Sequence, residues 1–152
     1  NSTTGRQCIA FAVKVYTTTM RNYIIYGMTG WCLEIIWTGL GSLLAGDPRL
    51  TAKTYLWMFP IYGLAVFFEP VHDHIRHWPL LARGLFWTAA LFAVEYLTGW
   101  LLRALVGASP WDYSAAALQI HGLIRLDYAP VWFLLGLFYE KMHDRLRRLN
   151  AR

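Results

Sequence analysis

Charge is what this sequence has least of. Lysine, arginine, aspartate and glutamate make up 15% of its 152 residues, against about 25% in a soluble domain. The shortfall comes with 57% hydrophobic residues and eight tryptophans, gathered into long runs. Such a chain reads as a polytopic membrane protein. At 17.5 kDa it has room for four spans and for no hidden soluble catalytic domain. Cysteine is scarce too. Cys8 and Cys32 give no disulfide framework, and Cys32, inside a long apolar stretch, is expected to be a buried free thiol. No Gly-rich phosphate loop, Ser-His-Asp set or CxxC pair occurs, so transport energised by ATP would need a partner chain. No charged n-region precedes a short apolar core with a cleavage site. The first long apolar stretch, from about Asn22, is therefore expected to act as the insertion signal. No cofactor is expected.

The charge that is present has a pattern. The net value of +5 sits at the edges of apolar stretches, which favours membrane orientation over nucleic-acid binding. Lys141, Arg145, Arg147, Arg148 and Arg152 form the strongest basic cluster, so the C-terminus is expected to be cytoplasmic. Four spans place the N-terminus, with Lys14 and Arg21, on the same side, in the cell (inner) membrane. Arg49, Lys53, Arg103 and Arg125 fall on the other face.

Residues 1–21 read as an interfacial segment, because Ile9 to Tyr16 is apolar but too short to span. A single membrane domain over 22–149 and a basic tail at 150–152 follow. Span one is expected over 23–44. Its Gly27, Gly30, Glu34, Thr38 and Gly41 recur at steps of three and four, which aligns them on one helical stripe. Span two is expected over 54–69, kinked at Pro60. Span three is expected over 80–106, with a stripe of Gly84, Thr88, Leu91, Glu95, Thr98 and Leu102. Residues 107–127 are expected to form a lid that includes Trp111-Asp112-Tyr113-Ser114. Span four starts near Tyr128. Its apolar part, Val131 to Tyr139, is too short to cross the ~30 Å hydrocarbon core. Arg125, Asp127 or Glu140 must therefore be paired, buried in protein, or snorkelling. The fold class is all-α: a membrane four-helix bundle with a short lid between spans three and four.

Two acids carry the functional reading. Glu34 and Glu95 lie near mid-span, where a charge costs at least ~2.5–3.5 kcal/mol, and each lies on a stripe of small and polar residues. If the stripes meet, the carboxylates share an interior, and an acidic interior favours a cation or amine. Asp112 is expected to pair with Arg103 or Arg125 and tie down the lid. His72, His74 and His77 are close in sequence, but beside Asp73 and Arg76 they read as a solvated loop, and no metal site is expected.

Five ordered motifs support a resemblance. They are Tyr26-Gly27 through Gly30-Trp31-Cys32-Leu33-Glu34; Pro60-Ile61-Tyr62-Gly63; Glu95-Tyr96-Leu97-Thr98-Gly99-Trp100-Leu101-Leu102; Pro110-Trp111-Asp112-Tyr113-Ser114; and His121-Gly122-Leu123-Ile124-Arg125-Leu126-Asp127-Tyr128. Over residues 22–145 the chain resembles the family of small membrane proteins labelled ABC-transporter permease, CmpB type, together with the eukaryotic transmembrane protein 229 group. The resemblance implies a four-span membrane protein and names no reaction. By motif it carries over Glu34, Tyr62, Glu95, Trp111, Asp112, Tyr113 and Gly122.

The leading expectation is binding or transport of a small polar, amine or lipid-head-group ligand in an acidic intramembrane cavity. Its expected residues are Glu34, Tyr62, Glu95, Arg103, Trp111, Asp112, Tyr113 and Arg125. The alternatives are a membrane-embedded enzyme acting on lipid head groups, with a carboxylate as general base, and a structural or assembly subunit of a larger membrane complex. The expected partners are the lipid bilayer and either further copies of the chain or a partner membrane subunit, with no nucleic acid.

Overall fold

The computed structural model describes residues 2–150, with side chains described for residues 5–150; Arg152 of the basic cluster lies outside them. The fold is predominantly helical. Helix α1 (Ser2–Leu44) is followed by α2 (Met58–Gly63), a 3-10 turn (Leu64–Phe68), α3 (Glu69–Ile75), α4 (Leu80–Val106), strands β1 (Gln119–Ile120) and β2 (Ile124–Arg125), a 3-10 turn (Leu126–Tyr128) and α5 (Ala129–Asn150). The described residues divide into two compact units. One is Glu69–Arg147; the other holds the chain up to Phe68 and from Arg148 on.

In the first unit, α1 has 43 residues and so runs about 65 Å at 1.5 Å per residue. It does not break at the expected boundary between an interfacial segment and span one. Its residues 5–17 are exposed. Asn22, Tyr26 and Gly30 are buried at steps of four, with Gly27 beside them and Gly39 nine residues further on, so one stripe packs and most of the helix does not. The stripe works by close approach. A Cβ on Gly27 would lie 2.7 Å from the Phe59 carbonyl, and one on Gly63 would lie 2.6 Å from the Tyr23 ring. Tyr23 also packs edge-on against Phe59 at 6.1 Å and donates to the Pro60 carbonyl at 3.3 Å. The packing does not extend to Gly41, whose Cβ position is open.

Two expectations are corrected in this unit. Cys32 is exposed rather than buried, because it lies five residues past Gly27, round the helix from the packed stripe. The segment 54–69 is not one kinked helix. Residues 51–55 lack helical structure, the short α2 follows, and the backbone tightens to 3-10 geometry before α3. Pro60 stands in the first turn of α2, where a missing N–H costs nothing.

In the second unit, α4 coincides with the expected third span. Pro79 precedes it in an extended conformation, and Gly107 ends it at φ 80°, a left-handed cap that glycine supplies without strain. Its buried residues are Gly84, Trp87, Thr88, Glu95, Gly99 and Leu102, the anticipated stripe with Trp87 and Gly99 in place of Leu91 and Thr98. Helix α5 packs on it through two glycines: the Gly84 Cβ position meets the Phe133 ring, and that of Gly136 meets Trp87. Helix α4 is the one described helix long and apolar enough to cross a membrane, and only 17% of its most apolar window is buried. A core helix of a soluble domain would be mostly covered. Leu85, Leu97, Trp100 and Leu105 instead stand out from it, as lipid-facing residues do.

Candidate functional site

The first unit holds Glu34 and Tyr62. Glu34 follows Gly27 and Gly30 along the packed face of α1. The Thr54 and Tyr62 hydroxyls lie within hydrogen-bonding reach of its carboxyl. The carboxyl is only part-buried, yet its Oε2 atom is enclosed and accepts no hydrogen bond among the described residues. Two residues singled out from different motifs thus meet at one carboxylate. The close approaches at Gly27 and Gly63 hold them there, one on α1 and one on α2.

The second unit holds Glu95 and the segment after α4. Glu95 is 9% exposed, so this carboxyl faces protein and not lipid. Trp111 is buried and donates its indole N–H to the Leu123 carbonyl at 2.9 Å. Its ring edge and Leu123 lie on Gly99, where an added Cβ would come within 2.9 Å and 3.0 Å of them. The Tyr113 N–H donates to the Gly122 carbonyl at 2.8 Å. Asp112 Oδ1 accepts from the Ser114 N–H at 2.9 Å and from its hydroxyl at 2.5 Å. Gly122, at φ 67°, has no room for a side chain: a Cβ would lie 2.6 Å from Ser114 Oγ and 2.7 Å from Asp112 Oδ1. His121, at φ 52°, completes the tight turn between β1 and β2. Tyr96 and Arg103 of α4 fasten that turn through His121 Nδ1 at 2.8 Å and the His121 carbonyl at 3.2 Å. The last three motifs therefore build a single object, a hairpin clamped onto the end of α4.

This geometry corrects the expected ties. Arg125 pairs with Asp127, through Nη2 to Oδ2 at 2.5 Å, and its guanidinium lies 4.4 Å over the Tyr128 ring. Asp112 makes its bonds to Ser114, and Arg103 acts on it only through charge. The Ser114 bonds hold the Asp112 carboxyl below the usual range, and the Arg125 guanidinium does the same for Asp127. Asp127 needs its neighbour Arg125 because both positions precede α5, next to an apolar segment.

A further group of charges was only partly anticipated. Helix α3 carries Glu69, His72, Asp73 and, just past its end, Arg76. The polar end of α5 carries Glu140, His143, Asp144 and Arg147, and α4 adds Arg83 and Trp87. The buried members are His72, Trp87, Glu140 and His143. Glu140 Oε1 accepts the Trp87 indole N–H at 2.7 Å. The same carboxylate faces His72 Nδ1 and Arg83 Nη2, each at 3.6 Å. Arg76 lies 2.9 Å from His72 Nε2 and also pairs with Asp144. A guanidinium only donates, so His72 Nε2 is the acceptor, and its proton sits on Nδ1 toward Glu140. His143 stands between two acids, Glu69 at 3.4 Å from Nδ1 and Asp73 at 3.3 Å from Nε2. The imidazoles of His72 and His143 are edge to face at 4.7 Å. Burial, aided by the neighbouring His143, holds the His72 pKa below its ordinary value. Beyond the apolar run of α5, the facing Glu69 carboxylate, with help from Asp73, holds His143 above its own. Burial works to raise Asp144, but the Arg76 guanidinium outweighs it and the carboxyl lies low. Of the three clustered histidines, His74 and His77 are exposed. His72 turns inward because it falls on the face of α3 that also buries Ile75. The missing signal was Glu140-Lys141-Met142-His143-Asp144, whose i, i+3 and i+4 spacing puts two acids and a histidine on one face.

No solved structure matches the chain. Residues 21–150 match a family model described as "Putative ABC-transporter type IV", of CmpB type. That match takes in all five motifs, both the pair that converges on Glu34 and the three that build the hairpin. The chain belongs to this family and is an ABC-transporter-related membrane protein.

Proposed function

We propose that the protein is a four-span membrane protein that binds and moves a small polar ligand bearing an amine, either free or as a lipid head group. Glu34 is the binding carboxylate and Tyr62 its companion. The observation that supports this is the enclosed Glu34 Oε2, which accepts no hydrogen bond among the described residues in a stretch expected to lie at mid-membrane. An acceptor in such a place is costly unless it meets a donor or a proton, and an ammonium supplies both charge and donors. Glu95 is the second acid of the reading. Arg103, Trp111, Asp112, Tyr113 and Arg125 keep the hairpin rigid at the end of α4. In this reading the crossings are 23–44, 80–106, the segment starting at Tyr128 and the interrupted stretch 54–69, with both termini cytoplasmic in the inner membrane.

Purified protein in detergent, heated with a panel of soluble amines and short-chain phospholipids, tests the proposal. One class of amine should raise the melting temperature, and Glu34→Gln should abolish that rise while the unliganded melting temperature holds. Ligand stabilisation that survives both Glu34→Gln and Glu95→Gln would sink the reading. The assembly-subunit reading keeps one observation in its favour. Ile9, Phe11, Val13 and Tyr16 on α1 are 66%, 70%, 55% and 65% exposed, an apolar run beyond the packed half of the helix. Cross-linking through the exposed Cys8 distinguishes it, because a specific partner gives one dominant adduct.

A further inference from the structure

The buried imidazoles of the second unit have the arrangement of a metal centre. His72, Asp73 and His143 each present a ligand atom, and the three atoms lie within 4.8 Å of one another. We infer that these residues bind a divalent transition metal of the zinc class, independently of any ligand at Glu34.

Four observations carry this. Imidazole nitrogen with one carboxylate oxygen is a donor set suited to such ions, and three protein ligands leave a fourth position open. Both histidines are nine-tenths or more buried, with side-chain exposures of 4% and 9%. Their Nδ1 atoms are buried and make no hydrogen bond in the present arrangement. Each histidine also has a carboxylate ready to orient it. On His143, Glu69 faces Nδ1 while Asp73 lies at Nε2. On His72, Glu140 faces Nδ1 and Asp144 faces Nε2, so either nitrogen can take the ion while the other is held. Carboxylate–histidine–metal relays of this kind fix ring orientation and raise ligand basicity.

Charge permits the ion as well. Asp144, Glu140 and Asp73 are paired here with Arg76, Arg83 and Arg147 in turn, and Glu69 faces His143. Four carboxylates against three guanidiniums leave one negative charge when both imidazoles are neutral. The two arginines nearest the donor atoms are the exposed members. Arg76, at His72 Nε2, is 44% exposed, and Arg147, at Asp73 Oδ1, is 67% exposed. Both can swing into water as an ion enters past Asp73, itself 48% exposed. Tetrahedral ligands at about 2.1 Å from zinc stand about 3.4 Å apart, and His143 Nε2 and Asp73 Oδ1 already lie 3.3 Å apart.

Tag-free protein, stripped with chelator and dialysed, is titrated with Zn2+ alone and, separately, with Co2+, whose visible absorption reports imidazole ligation. The expected result is one ion per chain, with Co2+ bands in the tetrahedral or five-coordinate range. His143→Ala and Asp73→Asn should each weaken binding at least tenfold, while His74→Ala with His77→Ala leaves it unchanged. Asp73 is exposed, so Asp73→Asn decides the matter if His143→Ala does not fold. The inference is overturned by no stoichiometric binding, by binding that survives Asp73→Asn at full strength, or by binding that disappears with His74 and His77. The Glu34 variant should bind the ion normally, which separates this result from the amine reading.

Discussion

Replacing Trp87 with phenylalanine removes one donor and the outer part of a buried ring. The Cβ and Cγ atoms that pack on Gly136 are shared by both residues, so the α4–α5 contact persists. What is lost is the indole N–H that Glu140 Oε1 accepts at 2.7 Å, where donor and acceptor residues are 7% and 4% exposed. A hydrogen bond to a charged group contributes about 1.5–3 kcal/mol, and water cannot easily replace it at such burial. Two groups can soften the loss, since Arg83 Nη2 and His72 Nδ1 each stand 3.6 Å from the same carboxylate and have room to close in. The expected destabilisation is therefore near the middle of that range, about 2 kcal/mol. Equilibrium unfolding in mixed micelles measures it. A double-mutant cycle with Glu140→Gln should return a coupling of at least about 1 kcal/mol, as contacting buried groups do. A Trp87→Phe effect under about 0.5 kcal/mol, typical of surface positions, or a coupling indistinguishable from zero, would refute the claim that this bond anchors Glu140.

The other predictions concern packing and the hairpin. Gly136→Ala sets a methyl against the Cβ and Cγ of Trp87, which are fixed to the α4 backbone, and should cost about 1–3 kcal/mol by overpacking. Gly84→Ala meets only the outer edge of the Phe133 ring, which can tilt, so its cost should be the smaller of the two in the same unfolding assay. Gly122→Ala combines a left-handed φ with contacts to Asp112 and Ser114. It should cost about 1–2 kcal/mol and lower hydrogen-exchange protection at the Tyr113 amide, which donates to the Gly122 carbonyl. Asp112 and Asp127 both titrate below the ordinary value of 3.8. The folded state therefore binds fewer protons than the unfolded chain near that pH. The stability they contribute is present above 3.8 and disappears as pH falls through their depressed folded values. The protection factor of the Ser114 amide, followed from pH 5 downward, should fall only below about pH 4, and Asp112→Asn should remove that dependence.

What the sequence disclosed depended on how far apart the interacting residues lie. Helix α4 was legible because its determinants are contiguous: an apolar run, Pro79 before it and Gly107 after it. The stripe through Gly84, Thr88 and Glu95 follows from helical periodicity alone. The hairpin was legible only as two motifs. Its strands have two residues each, too few to show an alternating pattern, and its stability comes from Trp111, Gly122 and the α4 side chains. The 54–69 segment was read as a span because composition registers apolar content, whereas the backbone responds to the short reach of α2 beside α1.

The charge cluster was the hardest to see, because its pairs join residues about seventy positions apart, as in Asp73 with Arg147 and Arg76 with Asp144. Read locally, Arg147 is one more cation in a basic C-terminus that sets orientation. In the folded protein it hydrogen-bonds to Asp73 at 2.8 Å, while Asp144 beside it answers Arg76. Both readings hold together. Topology is fixed by lysine and arginine near the ends of spans during insertion, with carboxylates contributing little. The ion pairs form afterwards, when α3 and α5 pack. One row of arginines can thus first orient the chain and later neutralise the acids of α3, provided α3 and the end of α5 lie on the same side of the membrane. That requirement concerns only the chain between α3 and the end of α5. Two partners joined by a 2.8 Å bond cannot flank opposite faces of a hydrocarbon core ~30 Å thick, so an even number of crossings must separate Asp73 from Arg147. If α4 is one crossing, the segment that begins at Tyr128 must supply the other. Its apolar run is short, and the requirement is met if Glu140, held by Trp87, is carried into the protein interior instead of the lipid.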